Sequence, residues 1–136
     1  MSKNVIQIHR GPVLGDLSFE QDGKEILSAT CCWDLKHKIP AKKYHGYKTR
    51  MSTKKDSVTG MNRPGIWIPG VPSYQGIFIH EGNTTNYDTR DVWSDGCIIL
   101  ERKEMMKIWD SIKTTDEVSI EIEDGLEVKN FYQKRI

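Results

Sequence analysis

The alternation of apolar and polar positions predicts a chain built mostly of β-strands. Period-2 alternation and short apolar runs are typical of strands that are half or fully buried in a sheet. Such segments lie at residues 5–9, 17–20, 25–33, 66–69, 75–80, 98–100 and 118–123. Asp22 and Gly23 stand between the second and third of them, and this pair is a strong hairpin signal. The pattern therefore predicts a mostly β fold with a hairpin between the second and third of these segments.

Two segments depart from the strand pattern. Residues 101–113 form the one predicted helix, because Met105, Ile108, Trp109 and Ile112 recur at helical spacing on one face. Residues 48–64 are polar and predict either a long loop, of the kind that often forms a lid, or a distorted hairpin. At 136 residues the chain is expected to form a single domain, 1–136, with a mostly β (α+β) fold and one packing helix.

Net charge does not favour a nucleic-acid partner. Twenty Lys and Arg residues against nineteen Asp and Glu residues leave a net charge of +1. A field strong enough to attract nucleic acid needs a clear excess of one sign. Basic residues are nonetheless crowded within residues 36–55. That crowding is read either as a solvated surface or as a contact for a polyanion such as a cell wall.

The amino-terminal residues and the cysteines indicate in which cellular compartment the chain is made. No apolar core of a signal peptide follows Met1, and no window contains 18 consecutive apolar residues. We expect a monomer without a membrane segment that is synthesised in the cytoplasm. Three cysteines are an odd number, and Cys31 and Cys32 are adjacent, so we expect buried thiols rather than a disulfide framework. No ligand spacing predicts a metal or another cofactor.

The candidate chemistry lies in a histidine and a cysteine. His80 ends the apolar run at residues 75–80, and Cys97 follows Gly96 in a short turn. A thiol attacks carbonyls as the thiolate, which an imidazole generates or stabilises. Glycine allows a sharp turn and leaves room for a substrate carbonyl beside backbone N–H donors. The pattern predicts Cys97 as nucleophile, His80 as its base and Gly96 as part of the oxyanion site.

These residues resemble a known family. The run Ile79-His80-Glu81-Gly82-Asn83, with Ser94-Asp95-Gly96-Cys97, resembles the active-site signature of the L,D-transpeptidase catalytic domain. The segment 38–44 is similar to the family's Thr-Pro-x-Gly-x-Tyr segment. The resemblance implies a β-sandwich with one packing helix that acts on the peptide part of peptidoglycan through a thioacyl intermediate. The residues around His80 and Cys97 look closer to a compact branch of phage and secretion-system proteins, some of them endolysins.

The chain departs from the family pattern at two positions. Asp95 stands where the family has a second histidine, and Ile98 stands where the family has an arginine. Because that arginine and a signal peptide are missing, we expect an endolysin-like peptidoglycan peptide hydrolase. The resemblance then implies that the chain is synthesised in the host cytoplasm and acts in the periplasm or on the cell wall after release or delivery. The alternatives are an L,D-transpeptidase, an L,D-carboxypeptidase or a secreted antibacterial effector with the same chemistry. A non-catalytic wall-binding or virion module is a further alternative.

The remaining candidate residues lie between the histidine and the cysteine. Ser94 or Asp95 is expected to orient the His80 ring, as a third catalytic group does elsewhere. The alternative, which the family resemblance implies, is that a backbone carbonyl orients the ring and Asp95 caps the turn before Gly96. Four more positions are candidates for substrate binding, with loop bracing, surface exposure or core packing as the competing interpretations. They are Asn83, Tyr87, Arg90 and Trp93.

Overall fold

Eight strands and one helix form the part of the chain that the structure describes. The computed structural model describes residues 2–34, 36–56, 58–82 and 96–125. The strands are β1 (Asn4–Arg10), β2 (Gly15–Gln21), β3 (Lys24–Trp33), β4 (Lys43–Lys55), β5 (Asn62–Ile68), β6 (Ile77–Glu81), β7 (Ile98–Leu100) and β8 (Glu117–Asp124), and the helix is α1 (Arg102–Ser111). The predicted mostly β fold class with a packing helix is confirmed.

The strands close into a barrel in the order β1-β2-β3-β7-β6-β5-β4-β8. The pairs β1 with β8 and β6 with β7 are parallel, and the other neighbouring pairs are antiparallel. The predicted hairpin turn joins β2 to β3, where Asp22 and Gly23 adopt φ angles of 54° and 82°. Positive φ at both positions is the backbone that an Asp-Gly hairpin turn requires.

Strict alternation along the strands builds the core. In β1, for example, residues at even positions are buried and those at odd positions are half-buried. Successive side chains of a strand point to opposite faces, so the even positions fill the barrel. The same alternation supplies the other buried apolar side chains of this cluster, among them Leu17, Phe19, Ile66, Ile68, Ile77, Ile79, Ile98, Val118, Ile120 and Ile122.

Helix α1 packs on the barrel with the apolar face that its spacing predicts. Met105 and Ile108 are fully buried, and the helix contacts β3, β5 and β6. Trp109 is only half-buried, and its Nε1–H donates to the backbone carbonyl of Thr49 at 3.0 Å. Lys48 and Arg50 lie over the Trp109 ring, 3.9 and 4.8 Å from its centroid. Part of the basic segment is therefore engaged in cation–π contacts within the fold. No helix in the described ranges is long and apolar enough to cross a bilayer.

The segment 48–64 is a distorted hairpin, and its reading as a long loop is wrong. Strand β4 continues to Lys55, with an irregular register against β5 after Arg50. The strand also begins earlier than the sequence indicated. Its inward position Gly46 has no side chain, and a Cβ there would lie 2.6 Å from Ile120 Cδ1. Close packing requires glycine here, so the sequence shows no apolar residue at this inward position of the strand.

Candidate active site

His80 lies near the end of β6, and the backbone of the next residue holds its ring. Its side chain is on the outer face, since Ile77 and Ile79 fill the barrel, yet the residue is only 2% exposed. Ring Nδ1 lies 2.7 Å from the backbone carbonyl oxygen of Glu81. A carbonyl only accepts, so Nδ1 carries the proton and donates it, which fixes both the tautomer and the ring orientation.

Burial keeps His80 neutral. The pKa of the ring is lowered from 6.5 to about 4, chiefly because burial removes it from water. The positive charges of Arg63 and Lys54 contribute in the same direction, and the hydrogen bond to Glu81 acts against them. At neutral pH the imidazole therefore has no proton on Nε2, which is the form that a general base requires.

Cys97 immediately precedes β7 and is 6% exposed. The backbone N–H of Phe78 donates to its Sγ at 3.3 Å, and Sγ lies 3.6 Å from the carbonyl oxygen of Gly76. A thiol can make both contacts, donating to the carbonyl and accepting from the N–H. After deprotonation the Phe78 N–H remains as a donor to the sulfur anion.

The strand register brings the histidine and the cysteine to the same face. Strands β6 and β7 are parallel, with Ile79 opposite Ile98 and His80 opposite Ile99. Cys97 therefore lies beside Phe78, two positions from His80, and side chains two positions apart share a face. Diagonal neighbours of this kind are on the order of 7 Å apart, within reach of a long or aromatic side chain. The predicted nucleophile and base are thus neighbours in the fold.

Gly96 fits the turn for two reasons. Its φ of +103° is a backbone conformation that residues with a side chain rarely adopt. A Cβ at this position would also lie 3.0 to 3.2 Å from side-chain atoms of Ile77, Ile39 and Tyr74. The turn before Cys97 is therefore packed from three sides. Ile39 belongs to the segment 38–44 singled out in the sequence, which places that segment against the site.

A comparison with family models decides the assignment. The model of the YkuD L,D-transpeptidase catalytic domain matches residues 24–120, which include both His80 and Cys97. The chain belongs to this family. The match does not distinguish the compact phage-like branch from other members of the L,D-transpeptidase family. No curated protein matches the chain by sequence at a significant level.

Solved L,D-transpeptidases share the fold. An L,D-transpeptidase from Mycobacterium tuberculosis H37Rv is similar with a TM-score of 0.59 and 15% identity over 88% of this chain and 58% of that one. The L,D-transpeptidase from Xylanimonas cellulosilytica gives 0.59 and 13% identity over 89% and 60%. The one from Mycobacterium smegmatis gives 0.58 and 12% identity over 88% and 59%. The chain thus spans about three-fifths of these structures.

Glu81, which follows His80 at the end of β6, belongs to a cluster of carboxyl and guanidinium groups. Arg102 Nη2 lies 3.1 Å from the Asp56 carboxylate, which also accepts from the Thr59 hydroxyl at 2.9 Å. Burial and the adjacent Asp56 raise the pKa of Glu81. For Asp56 burial acts to raise the pKa, but hydrogen bonds, beginning with the Val58 N–H, outweigh it and the pKa is lowered. The cluster joins the β4–β5 turn, β6 and α1.

Six of the sequence-predicted site residues lie outside the described residues. They are Asn83, Tyr87, Arg90, Trp93, Ser94 and Asp95, and their assigned roles stay predictions. The carbonyl of Glu81 holds the His80 ring, which is the backbone-carbonyl alternative for the orienting role. The structure adds one group that the sequence interpretation missed, the N–H of Phe78, which contacts the sulfur. A backbone group carries no residue-type signal, so only the structure shows which one makes the contact.

Proposed function

We propose that this chain hydrolyses a peptide bond of peptidoglycan through a thioacyl intermediate on Cys97. One observation carries the proposal most directly. A neutral His80, with its Nδ1 proton committed to the Glu81 carbonyl, lies diagonally across a strand pair from the thiol. Membership of the L,D-transpeptidase family supports peptidoglycan as the substrate class. Because the Glu81 carbonyl already accepts from Nδ1, the role proposed for Asp95 is to cap the turn before Gly96. Ser94 stays a candidate catalytic residue, and Asn83, Tyr87, Arg90 and Trp93 are proposed to bind the substrate.

The proposed reaction has two steps. His80 Nε2 takes the thiol proton, the sulfur attacks the scissile carbonyl, and backbone N–H groups around Gly96 and Cys97 stabilise the oxyanion. The C–N bond then breaks, and the imidazolium returns the proton to the leaving amine. In the second step His80 deprotonates a water molecule, which attacks the thioester. The C–S bond breaks, a carboxylate forms and the thiol is regenerated.

Water is favoured as the second nucleophile because this chain lacks the arginine of the family pattern after Cys97, where Ile98 stands and is fully buried. An amine in place of water would give transpeptidation, which is the competing outcome for the same intermediate. As an endolysin-like enzyme, the chain would act on the wall after release or delivery from the cytoplasm.

The experiment that tests the proposal digests purified sacculi in ¹⁸O-labelled water and analyses the released muropeptides by mass spectrometry. Hydrolysis puts one ¹⁸O atom into each new carboxylate, whereas transfer to an amine yields a new amide without label. Cys97→Ala should abolish product formation and leave the melting temperature nearly unchanged. Cys31→Ala is the matched control, because Cys31 is a fully buried thiol on β3 opposite Leu100 of β7, away from the His80 face, and should retain activity. Product formation by Cys97→Ala would remove the nucleophile assignment.

A further inference from the structure

A row of aromatic side chains starts at the candidate nucleophile and crosses the outer face of the barrel. Phe78 of β6, whose N–H contacts the Cys97 sulfur, is opposite Trp67 of β5. Trp67 is opposite Tyr47 of β4, and Tyr47 is opposite Glu117 of β8. Opposed residues of neighbouring strands point to the same face. We call Phe78, Trp67 and Tyr47 the aromatic row.

Two of the three side chains of the aromatic row are exposed to solvent, and Phe78 is half-buried. Trp67 is 42% exposed and Tyr47 is 36% exposed, and their ring centroids lie 6.2 Å apart. Among the described residues, the other exposed large apolar side chains are Val58 and Met61, which lie in or next to the β4–β5 turn. Exposed aromatic rings side by side, in register with a reactive thiol, contribute little to the core and offer a contact surface for a ligand.

The far end of the row carries a negative charge. The Tyr47 hydroxyl lies 3.4 Å from Glu117 Oε1, and Glu117 is exposed. None of the ion pairs among the described residues involves Glu117. An ammonium group within about 6 Å of a Tyr or Trp ring is attracted to its face, and a carboxylate at the ring edge adds to that attraction. The row therefore suits an amine better than an anion or a purely apolar group.

Strand spacing gives the reach of the site. Neighbouring strands lie about 4.8 Å apart, so three spacings from β7 to β4 cover roughly 14 Å. An extended peptide advances about 3.3 to 3.6 Å per residue, so roughly four residues span this distance. We propose that the aromatic row and Glu117 form a subsite for an amine-bearing peptide whose reacting carbonyl lies at Cys97. This inference rests on the proposed function of the thiol.

Binding is measured in the Cys97→Ala background, so that the test does not depend on turnover. The probe is a synthetic tetrapeptide with one lysine side chain, and its acetyl-lysine form serves as the neutral analogue. We expect Trp67→Ala to weaken the Kd of the lysine peptide by about fivefold to tenfold, the loss of one good aromatic contact. Glu117→Gln should weaken the lysine peptide but not the acetylated one. Val58→Ala, at an exposed apolar position outside the row, should change neither Kd.

Each outcome decides for or against the subsite. Unchanged affinity in both Trp67→Ala and Tyr47→Phe/Trp67→Ala, with melting temperatures near the parent, would overturn the proposal. Trp67-dependent binding of a chitin-type oligosaccharide but not of the peptide would also overturn it, in favour of a glycan. In the active chain, Trp67→Ala should raise KM and leave kcat and iodoacetamide alkylation of the thiol nearly unchanged. If the active chain cuts no wall but the peptide still binds through Trp67, the proposed reaction fails and the subsite stands.

Discussion

The two faces of strands β6 and β7 have different roles, although most side chains on both faces are buried. The inner face consists of Ile77, Ile79, Ile98 and Leu100, all at most 1% exposed. The outer face carries Phe78, His80, Cys97 and Ile99. On the inner face burial stabilises the fold by removing apolar surface from water. On the outer face burial adjusts chemistry, since it lowers the pKa of a histidine and surrounds a thiol with backbone polar groups.

Burial of an apolar side chain in the core and burial of a polar side chain at the candidate site have different consequences for substitution. An apolar side chain in a closed core can be exchanged for one of similar volume at small cost. A buried histidine with one fixed hydrogen bond has no such equivalent, because its proton position is part of its role. Substitutions on the outer face should therefore change activity more than stability, and substitutions on the inner face should do the reverse.

The largest effect is expected from the histidine. His80→Ala should lower turnover by on the order of 10²- to 10⁴-fold, the range for loss of general acid–base help. Alkylation of Cys97 by iodoacetamide should slow at the same time, because the thiol loses its proton acceptor. His45→Ala is the control, since His45 is exposed on β4. If alkylation of His80→Ala matched the parent rate between pH 6 and 9, His80 would not be the group that activates the thiol.

The inner and outer faces of β6 and β7 also differ in how far the sequence predicts them. The strands at residues 75–80 and 98–100 were predictable because both are short apolar runs. Their partners, and therefore the side chains that face inward, come only from the structure. His80 and Cys97 were predictable as candidates from residue type and the turn at Gly96. The aromatic row was not, because Tyr47, Trp67 and Phe78 are far apart in sequence and meet only through the register.

The second prediction concerns pH and stability. His80 has its pKa lowered to about 4 in the folded chain, so the unfolded chain binds more protons between about pH 4 and 6.5. Stability should therefore fall as pH falls through this window, by about 3 kcal/mol in total. Melting temperatures of the parent and of His80→Gln between pH 4 and 7 isolate this contribution as a difference. If the melting temperatures of the parent and of His80→Gln changed with pH in parallel, the predicted contribution of His80 would be contradicted.

The third prediction compares two glycines with positive φ. Gly96→Ala combines an unfavourable backbone conformation with contacts of 3.0 to 3.2 Å, whereas Gly70, with φ of +74°, has open space around its Cβ position. Both variants should lose about 1 kcal/mol from the backbone. Gly96→Ala should lose a further 1 to 3 kcal/mol or so from overpacking. Chemical denaturation measures both, and equal losses would show that the turn can relax.

The smallest effect is expected on the inner face. Ile79→Val removes one methyl group from a fully buried side chain that lies between β5 and β7, opposite Ile66 and Ile98. The free energy of unfolding should fall by about 0.5 to 1.5 kcal/mol. Turnover should stay close to the parent value, because the backbone of β6 and the hydrogen bond from His80 Nδ1 to the Glu81 carbonyl are unchanged. Turnover and denaturation midpoint are measured on the same preparation. A large loss of turnover with a small loss of stability would mean that the inner face also sets the position of His80, and the division between the two faces would fail.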